Sequence, residues 1–315
     1  MNPTIKTING PVVIAKNAAD LKIREMVSVG ELKLIGEVIS VDGDFATIEV
    51  YEDTSGLRAN EPIISTHRPL SVRLGPGLLR NMFDGIERPL EKIKDENGAF
   101  IPSGIGFTNL DEEKEWDVDI KVKEGESIHV GDIYATIMET KTIEHRLMST
   151  VDGTISEVKP SGSYKIEDTI VKVNTIDGDK ELKLYQYWPV RNPRPVKKVR
   201  PLELLLNTGQ RVLDVFFPVA KGGTVAIPGG FGTGKTMLQH QFAQYADADI
   251  IIYIGCGERG NEMTQVLEEF PELIDPNTGY GLMERTILIA NTSNMPVAAR
   301  EASIYTGITI AEYFR

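Results

Sequence analysis

The chain has 315 residues, of which 41% are hydrophobic and 25% charged, a composition typical of globular proteins with two or three domains. Its net charge of −12 disfavours nucleic acid as a partner, because nucleic-acid binding needs a basic face. The single cysteine, Cys256, excludes an internal disulfide and fits a reducing cytoplasm. No apolar run is long enough to span a bilayer and no basic-then-apolar leader follows Met1, so we expect neither a transmembrane segment nor a signal peptide.

Residues 1–68 carry short β-branched segments separated by turn residues. The segments at 11–14, 33–39 and 46–51 have apolar residues at alternate positions, and Asp42-Gly43-Asp44 has the composition of a hairpin turn. This spacing predicts a small closed β-barrel. We interpret the barrel as a structural domain rather than a ligand site.

Residues 69–110 are rich in glycine and proline and lack a strong apolar period. We interpret them as a connector with one short helix at residues 78–83. Residues 111–187 then form a second β-rich region. It contains a near-repeat, since residues 123–133 and 159–170 both have the pattern of strand, glycine-centred turn and strand.

The near-repeat resembles the flattened sandwich of biotinyl and lipoyl carrier domains. In those domains a lysine at a hairpin tip holds the cofactor, and Lys141 stands at the corresponding place. Thr140 and Thr142 flank it, where carrier hairpins have acidic residues or methionine. We therefore favour a structural β-rich module and keep a carrier modified at Lys141 as an alternative.

The proline-rich stretch 188–195 introduces an α/β region that extends to residue 315. Strands are predicted at 224–227, 249–254 and 286–290, and helices at 235–246, 261–270 and 296–315. This alternation predicts a parallel sheet with helices on both faces. Because the last turn has large apolar residues and no stop signal, we expect the α/β domain to be incomplete at its C-terminal end.

The sequence signal with the most specific chemistry lies between the first predicted strand and the helix that follows it. It satisfies the phosphate-binding pattern G-x-x-x-x-G-K-[ST]. Glycines allow consecutive backbone N–H groups to turn toward phosphate oxygens, and the helix N-terminus adds its dipole. We expect Lys235 to reach the β- and γ-phosphates of ATP and the Thr236 hydroxyl to ligate Mg²⁺. The complete set of predicted loop residues is Gly229, Gly230, Phe231, Gly232, Thr233, Gly234, Lys235 and Thr236.

Charged residues follow the second predicted strand. The carboxyl ends of parallel strands face the ligand crevice, so Glu258 and Arg259 should lie beside the γ-phosphate. A carboxylate there can orient and polarise the attacking water, and a guanidinium can neutralise phosphate charge. The alternative is that they are a surface pair that only caps the strand. Glu262, four residues after Glu258, is a possible support, and Cys256 is expected to be a small buried residue nearby.

Four segments resemble the catalytic A subunit family of V/A-type rotary ATPases. They are residues 208–223, Phe231 within the loop, the string Gly255-Cys256-Gly257-Glu258-Arg259-Gly260-Asn261-Glu262-Met263, and residues 290–302. The β-rich region, which we place at 111–187, resembles the insertion that F-type relatives lack. The resemblance covers essentially the whole chain.

The resemblance implies a nucleotide site at the interface with a non-catalytic B-type subunit in an alternating hexamer, where the partner supplies an arginine finger. It implies that hydrolysis turns a central shaft beside peripheral stalk subunits and drives proton or sodium movement, and that some members synthesise ATP. Membrane contact would be indirect, at the cytoplasmic face. Lys235 and Thr236 would contact phosphate and Mg²⁺, Glu258 would orient water, and Arg259 would assist at the γ-phosphate.

Three departures from the family pattern qualify these implications. Gly230 stands where the family usually has proline, and Thr233 stands where eukaryotic relatives have a cysteine that forms a disulfide switch. The chain also stops before the family's second acidic metal residue, its adenine pocket and its C-terminal helical domain, so we expect the chain alone to hydrolyse ATP poorly. The alternatives are a non-catalytic nucleotide-binding or assembly module and a hexameric secretion-type ATPase.

Overall fold

A computed structural model describes residues 2–98, 101–104, 108–196, 198–230 and 232–315 of the chain. Its first six strands form one antiparallel sheet in the order β1-β2-β5-β4-β3-β6. An isolated β-bridge joins Thr4 of β1 to Pro62, the residue directly before β6. The first strand therefore meets the last one, and the sheet closes into the predicted β-barrel. The alternating pattern buries residues such as Ala46, Ile48 and Val50 inside it. The strands are β1 Thr4–Asn9, β2 Val12–Lys16, β3 Glu25–Val29, β4 Leu34–Asp42, β5 Phe45–Val50 and β6 Ile63–Pro69.

The connector ties the barrel to the rest of the chain through two short strands and a helix: β7 Ser71–Leu74, β8 Met82–Phe83 and α1 Leu90–Asn97. The helix predicted at 78–83 is wrong, because Arg80 has a left-handed φ of 69° and Met82–Phe83 pairs with a later strand of the α/β sheet. Tertiary pairing overrides the local helix signal there. The helix begins only at Leu90, directly after Pro89.

The β-rich region consists of two four-stranded antiparallel sheets, ordered β10-β13-β15-β16 and β12-β11-β9-β14. The two halves of the near-repeat supply β10 and β14, one to each sheet. Apolar residues from both sheets fill one core, which includes Val118, Ile137, Leu147, Ile155 and Val173. The strands are β9 Glu115–Ile120, β10 Ser127–Ile128, β11 Ile133–Met138, β12 Glu144–Met148, β13 Gly153–Val158, β14 Gly162–Lys165, β15 Val171–Thr175 and β16 Gly178–Leu182.

The α/β region begins after β17 (Gln186–Pro189), which pairs with β7 of the connector, so the chain before the β-rich region and the chain after it lie side by side. Its elements in chain order are β18 Leu205–Leu206, α2 Arg211–Phe216, β19 Val219–Ala220, α3 Lys235–Tyr245, β20 Ile251–Glu258, α4 Gly260–Glu269, β21 Thr286–Thr292 and α5 Val297–Phe314. Short 3₁₀ turns lie at Phe270–Glu272 and Leu282–Arg285. In the described ranges, no helix combines the length and apolar character needed to cross a bilayer.

The parallel sheet has the order β20-β21-β8 and helices on both faces, as predicted. Ile287 and Ile289 of β21 face the cluster that contains α5, while Leu288 and Ala290 face the cluster that contains α4 and Ala243 of α3. One predicted strand is absent, because residues 224–227 are not in a β-ladder and Val225 is 50% exposed. The connector strand β8 is the third strand of the described sheet instead. A strand needs a hydrogen-bonding neighbour, and residues 224–227 have none among the described residues.

A buried polar chain joins the β-rich region to the end of α5. The Glu139 carboxylate accepts hydrogen bonds from the backbone N–H groups of Gly77 at 2.8 Å and Leu79 at 3.0 Å. Its other oxygen lies 2.5 Å from Nδ1 of His145, whose Nε2 lies 2.6 Å from the hydroxyl of Tyr313. Burial alone would raise the pKa of Glu139, but His145 and the two N–H groups hold it below its ordinary value. These contacts fix the β-rich region, the connector and α5 to one another.

Candidate active site

The glycine loop adopts the backbone that its glycines permit. Gly232 and Gly234 have left-handed φ values of 76° and 87°, and α3 begins at the next residue, Lys235. The Thr233 hydroxyl donates to the carbonyl of Gly230 at 2.9 Å, which closes the turn. A Cβ on Gly229 would lie 2.6 Å from Oγ1 of Thr233, so the close approach requires glycine there. Phe231 lies outside the described residues.

Lys235 extends back across the loop. Its ammonium group donates to the carbonyl of Gly229, at the opposite end of the loop. The Thr236 side chain is half-buried in the first turn of α3, and no hydrogen bond of its hydroxyl is found within the described ranges. The positive charge and the hydroxyl therefore lie at the N-terminus of α3, where the helix dipole favours an anion.

Glu258 is the last residue of β20 and lies near Lys235. Burial raises the pKa of the Glu258 carboxyl; a hydrogen bond with Glu262 and the charge of Glu262 raise it further, while the charge of Lys235 lowers it. The backbone N–H of Ser293 donates to the Glu258 carbonyl at 2.9 Å. The structure thus brings the predicted lysine, the predicted carboxylate and Glu262 together near the carboxyl end of the sheet.

Arg259 precedes the first residue of α4 and is exposed. Its Nη1 lies 4.0 Å from the Glu262 carboxylate, a long separation for an ion pair. Cys256 corrects our expectation of a buried residue, since its thiol is exposed and donates to the carbonyl of Arg300 at 3.2 Å. Its position next to the last residue pairs of β20, at the carboxyl end of the strand, places it near the surface.

The donors present fit a magnesium nucleotide. In the described part of the chain, no three His, Cys, Asp or Glu side chains cluster as a metal site. Mg²⁺ in nucleotide sites is held mainly by phosphate oxygens, water and one or two protein oxygens, so one hydroxyl at the helix start suits it better than a closed protein cage. The half-buried Thr236 hydroxyl, which has no partner among the described residues, meets that requirement.

Two residues near this site were missed by motif-based reasoning. Ser293 and Arg300 come from the segment between β21 and α5 and from α5 itself, 35 and 42 residues after Glu258. No local spacing connects them to the glycine loop. The one available signal was that the carboxyl ends of neighbouring parallel strands meet, which places the residues after β21 next to those after β20.

A glycine-loop site on an α/β sheet, preceded by a β-barrel and a double antiparallel sheet, defines a P-loop nucleotide-binding protein with two N-terminal β domains. Three family descriptions match the chain in the same order. The ATP synthase alpha/beta family beta-barrel domain matches residues 5–67, the ATP synthase alpha/beta subunit barrel-sandwich domain matches 107–191, and the ATP synthase alpha/beta family nucleotide-binding domain matches 209–315. The chain belongs to this family.

Curated relatives narrow the family to its V-type and A-type branch. The chain is 63% identical over 314 residues to V-type ATP synthase alpha chain 2 of Clostridium tetani, covering 99% of this chain and 53% of the relative. It is 55% identical over 314 residues to a subunit of the A-type ATP synthase of Thermococcus sibiricus, covering 99% of this chain and 54% of the relative. The chain therefore spans about half the length of the curated relatives it matches.

The fold is also similar to a secretion ATPase. The structure of the assembled ATPase EscN from the type III secretion system of enteropathogenic E. coli matches with a TM-score of 0.62 and 20% identity, over 99% of this chain and 53% of that chain. At this identity the match reports the shared fold alone. The much higher identity to V-type and A-type ATP synthase chains favours the rotary ATPase interpretation over the secretion-type and carrier alternatives.

Proposed function

We propose that this chain supplies the nucleotide-binding part of the catalytic subunit of a V/A-type rotary ATPase, which hydrolyses or synthesises ATP coupled to proton or sodium transport. The observation that carries the proposal is that Lys235, at the N-terminus of α3, is close enough to Glu258, at the carboxyl end of β20, for its charge to lower the pKa of that carboxyl. One group can hold phosphate charge there while the other orients a water molecule.

Each residue of the site has one proposed task. Backbone N–H groups of the loop from Gly229 to Gly234 surround phosphate oxygens, and Lys235 exchanges its contact with the Gly229 carbonyl for the β- and γ-phosphates. Thr236 would hold Mg²⁺, which when bound neutralises charge on the phosphates. Phe231 is part of the same loop motif, and its proposed place in the site rests on sequence alone.

Glu258 acts as the water-orienting carboxylate in this proposal. It accepts the proton of the attacking water in its ionised form, which Lys235 favours and Glu262 disfavours. Arg259 is exposed beside it and would add positive charge at the γ-phosphate.

The proposed assembly follows from the family. It is an alternating hexamer with a non-catalytic B-type subunit that contributes an arginine finger, together with central shaft and peripheral stalk subunits. Its contact with the membrane is indirect, through a separate membrane sector at the cytoplasmic face. The three matched family regions and the V-type and A-type relatives support this arrangement.

The test is Mg-ATP binding by Lys235→Ala, measured by calorimetry on the complete subunit. Binding should be lost, because the loop loses its fixed positive charge on the phosphates. Lys221→Ala is the matched control, since Lys221 is a partly exposed lysine near the loop that pairs with Asp247 at 2.9 Å. Unchanged Mg-ATP affinity in Lys235→Ala would show that Lys235 does not bind the phosphates. An equal loss of affinity in both variants would show that the overall positive charge of the region matters, rather than a specific contact of Lys235.

A further inference from the structure

The direction of the Glu258 side chain depends on an irregularity at the end of β20. Cys256 pairs with Asn291 of β21, but Glu258 pairs with the next residue, Thr292. Gly257 is therefore an extra residue in the ladder, a β-bulge. Bulges re-aim the side chains that follow them and are common beside active sites. Gly257 has a left-handed φ of 81°, so an L side chain there would be strained.

Arg300 of α5 occupies the space against this bulge. A Cβ on Gly257 would lie 3.1 Å from Cδ of Arg300 and 3.3 Å from its Nη1. The Arg300 carbonyl accepts the thiol hydrogen of Cys256 at 3.2 Å. Both the side chain and the backbone of Arg300 thus contact the two residues that precede Glu258.

Helix α5, which bears Arg300, is fixed in place by several contacts with the rest of the fold. A Cβ on Gly307 would lie 2.2 Å from Cδ1 of Ile254, so the helix approaches β20 at the distance that only glycine permits. Further along, the Thr306 hydroxyl donates to the Gly85 carbonyl at 3.0 Å, and Tyr313 joins the buried chain of Glu139 and His145. Arg300 therefore projects from a fixed support.

The Arg300 guanidinium is not fully satisfied where it lies. Its Nε is buried and makes no hydrogen bond within the described ranges. A buried donor left unsatisfied destabilises the folded state, and an apolar side chain of similar length would avoid that penalty. An arginine at this position is consistent with a role at the bulge rather than with packing alone.

We propose that Arg300 is a positioning residue that supports the Gly257 bulge from α5 and so sets the direction of Glu258. Its catalytic consequence rests on the proposed function, since only an ATPase would use the direction of Glu258. Its structural consequence does not, because the conformation of residues 256–258 can be measured without turnover.

The experiment compares Arg300→Ala, Arg300→Lys and Arg58→Met in the complete assembly. Arg58 is an exposed arginine of the barrel and controls for the loss of one positive charge. Arg300→Ala should lower kcat by about tenfold or more, as a small misplacement of a catalytic group does, while the Kd for Mg-ATP stays unchanged. Arg300→Lys keeps the aliphatic stem against Gly257 and should recover most of the rate. Arg58→Met should match the wild type.

The second readout is the alkylation rate of Cys256, the only cysteine among these 315 residues, followed by mass spectrometry of its peptide. Loosening of the bulge should raise this rate severalfold in Arg300→Ala and leave it unchanged in Arg58→Met. Gly257→Ala, which places a Cβ against Arg300, should produce the same pair of effects. It keeps the test decisive if Arg300→Ala fails to assemble.

The outcomes separate the two proposals. Wild-type turnover together with a wild-type alkylation rate in Arg300→Ala overturns the positioning role. A loss of Mg-ATP affinity equal to the loss of turnover also overturns it, because Arg300 would then be a nucleotide ligand. If the wild-type assembly has no ATPase activity but Arg300→Ala still accelerates alkylation of Cys256, the proposed function fails and the positioning role stands.

Discussion

The β-rich region and the segment before the glycine loop differ in how their strands find partners. In the β-rich region, β11 pairs with β12 and β15 with β16 across short hairpins, and residues such as Leu147 and Val173 have no exposed surface. In the segment 198–230, the two-residue strands β18 and β19 pair only with each other among the described residues, and the predicted strand at 224–227 does not form. Large apolar side chains stay exposed there, including Leu205 at 61% and Phe217 at 69%. A strand whose partner is nearby in sequence forms reliably, whereas a strand signal without a neighbour does not.

The largest expected effect is on the buried chain that fixes the β-rich region to α5. His145→Ala leaves the Glu139 carboxylate buried without its imidazole partner and should lower the free energy of unfolding by about 3–5 kcal/mol. Denaturant unfolding of the 315-residue chain measures the loss, with His129→Ala as the control because His129 is exposed. Equal stability of the two variants would contradict the role of the buried pair.

The same carboxylate predicts the direction of the pH dependence. The folded-state pKa of Glu139 is lowered, so its contribution to stability is fully present above the ordinary glutamate pKa. That contribution is lost as the pH falls through the lowered value. His145→Ala should therefore reduce the acid sensitivity of unfolding that comes from Glu139, which urea titrations at several pH values would detect.

A matched pair of leucines measures the contrast between the two regions directly. Leu147→Ala should cost about 2–5 kcal/mol, because it opens a cavity in the core of the β-rich region. Leu205→Ala should change the free energy of unfolding by less than about 0.5 kcal/mol, because its side chain is mostly exposed. Similar losses for both variants in the 315-residue chain would mean that the segment 198–230 packs as tightly as the β-rich region.

A fourth prediction concerns the chemistry at the end of β20. Glu258→Gln in the complete assembly should retain Mg-ATP binding and lower kcat by at least about 10²-fold, because the amide cannot accept the proton from water. Steady-state turnover and calorimetry together separate the two effects. Turnover near the wild-type rate would reduce Glu258 to a residue that only caps the strand.

The smallest expected effect is a shift of pH dependence. Turnover should decline as the pH falls through the raised pKa of Glu258, since the ionised form is the base. Glu262→Gln removes the neighbouring negative charge, lowers the Glu258 pKa and moves this acidic limb to lower pH. Glu268→Gln, at an exposed position of the same helix, is the control. If the acidic limb of the pH profile stays at the same pH in Glu262→Gln, Glu262 does not influence the ionisation of Glu258.

Local patterns were sufficient for much of the fold. Alternating apolar residues predicted the barrel, and the period of 3.6 predicted α3, α4 and α5 within one or two residues of their bounds. The helix predicted at 78–83 was wrong because long-range pairing with β21 decides the conformation of this segment. The domain boundaries at residues 68, 110 and 187, and the roles of the site residues, stay predictions.

The sequence by itself determined the glycine loop, the helix that follows it and the carboxylate at the end of β20, because each depends on a few consecutive residues. The resemblance to the family was also visible in the sequence, in strings such as residues 255–263. Only the tertiary structure decided that Met82–Phe83 joins the parallel sheet, that Cys256 is exposed and that Arg300 lies against Gly257. Those contacts join residues far apart in the chain, and no local propensity encodes which distant side chain fills the space beside a given turn.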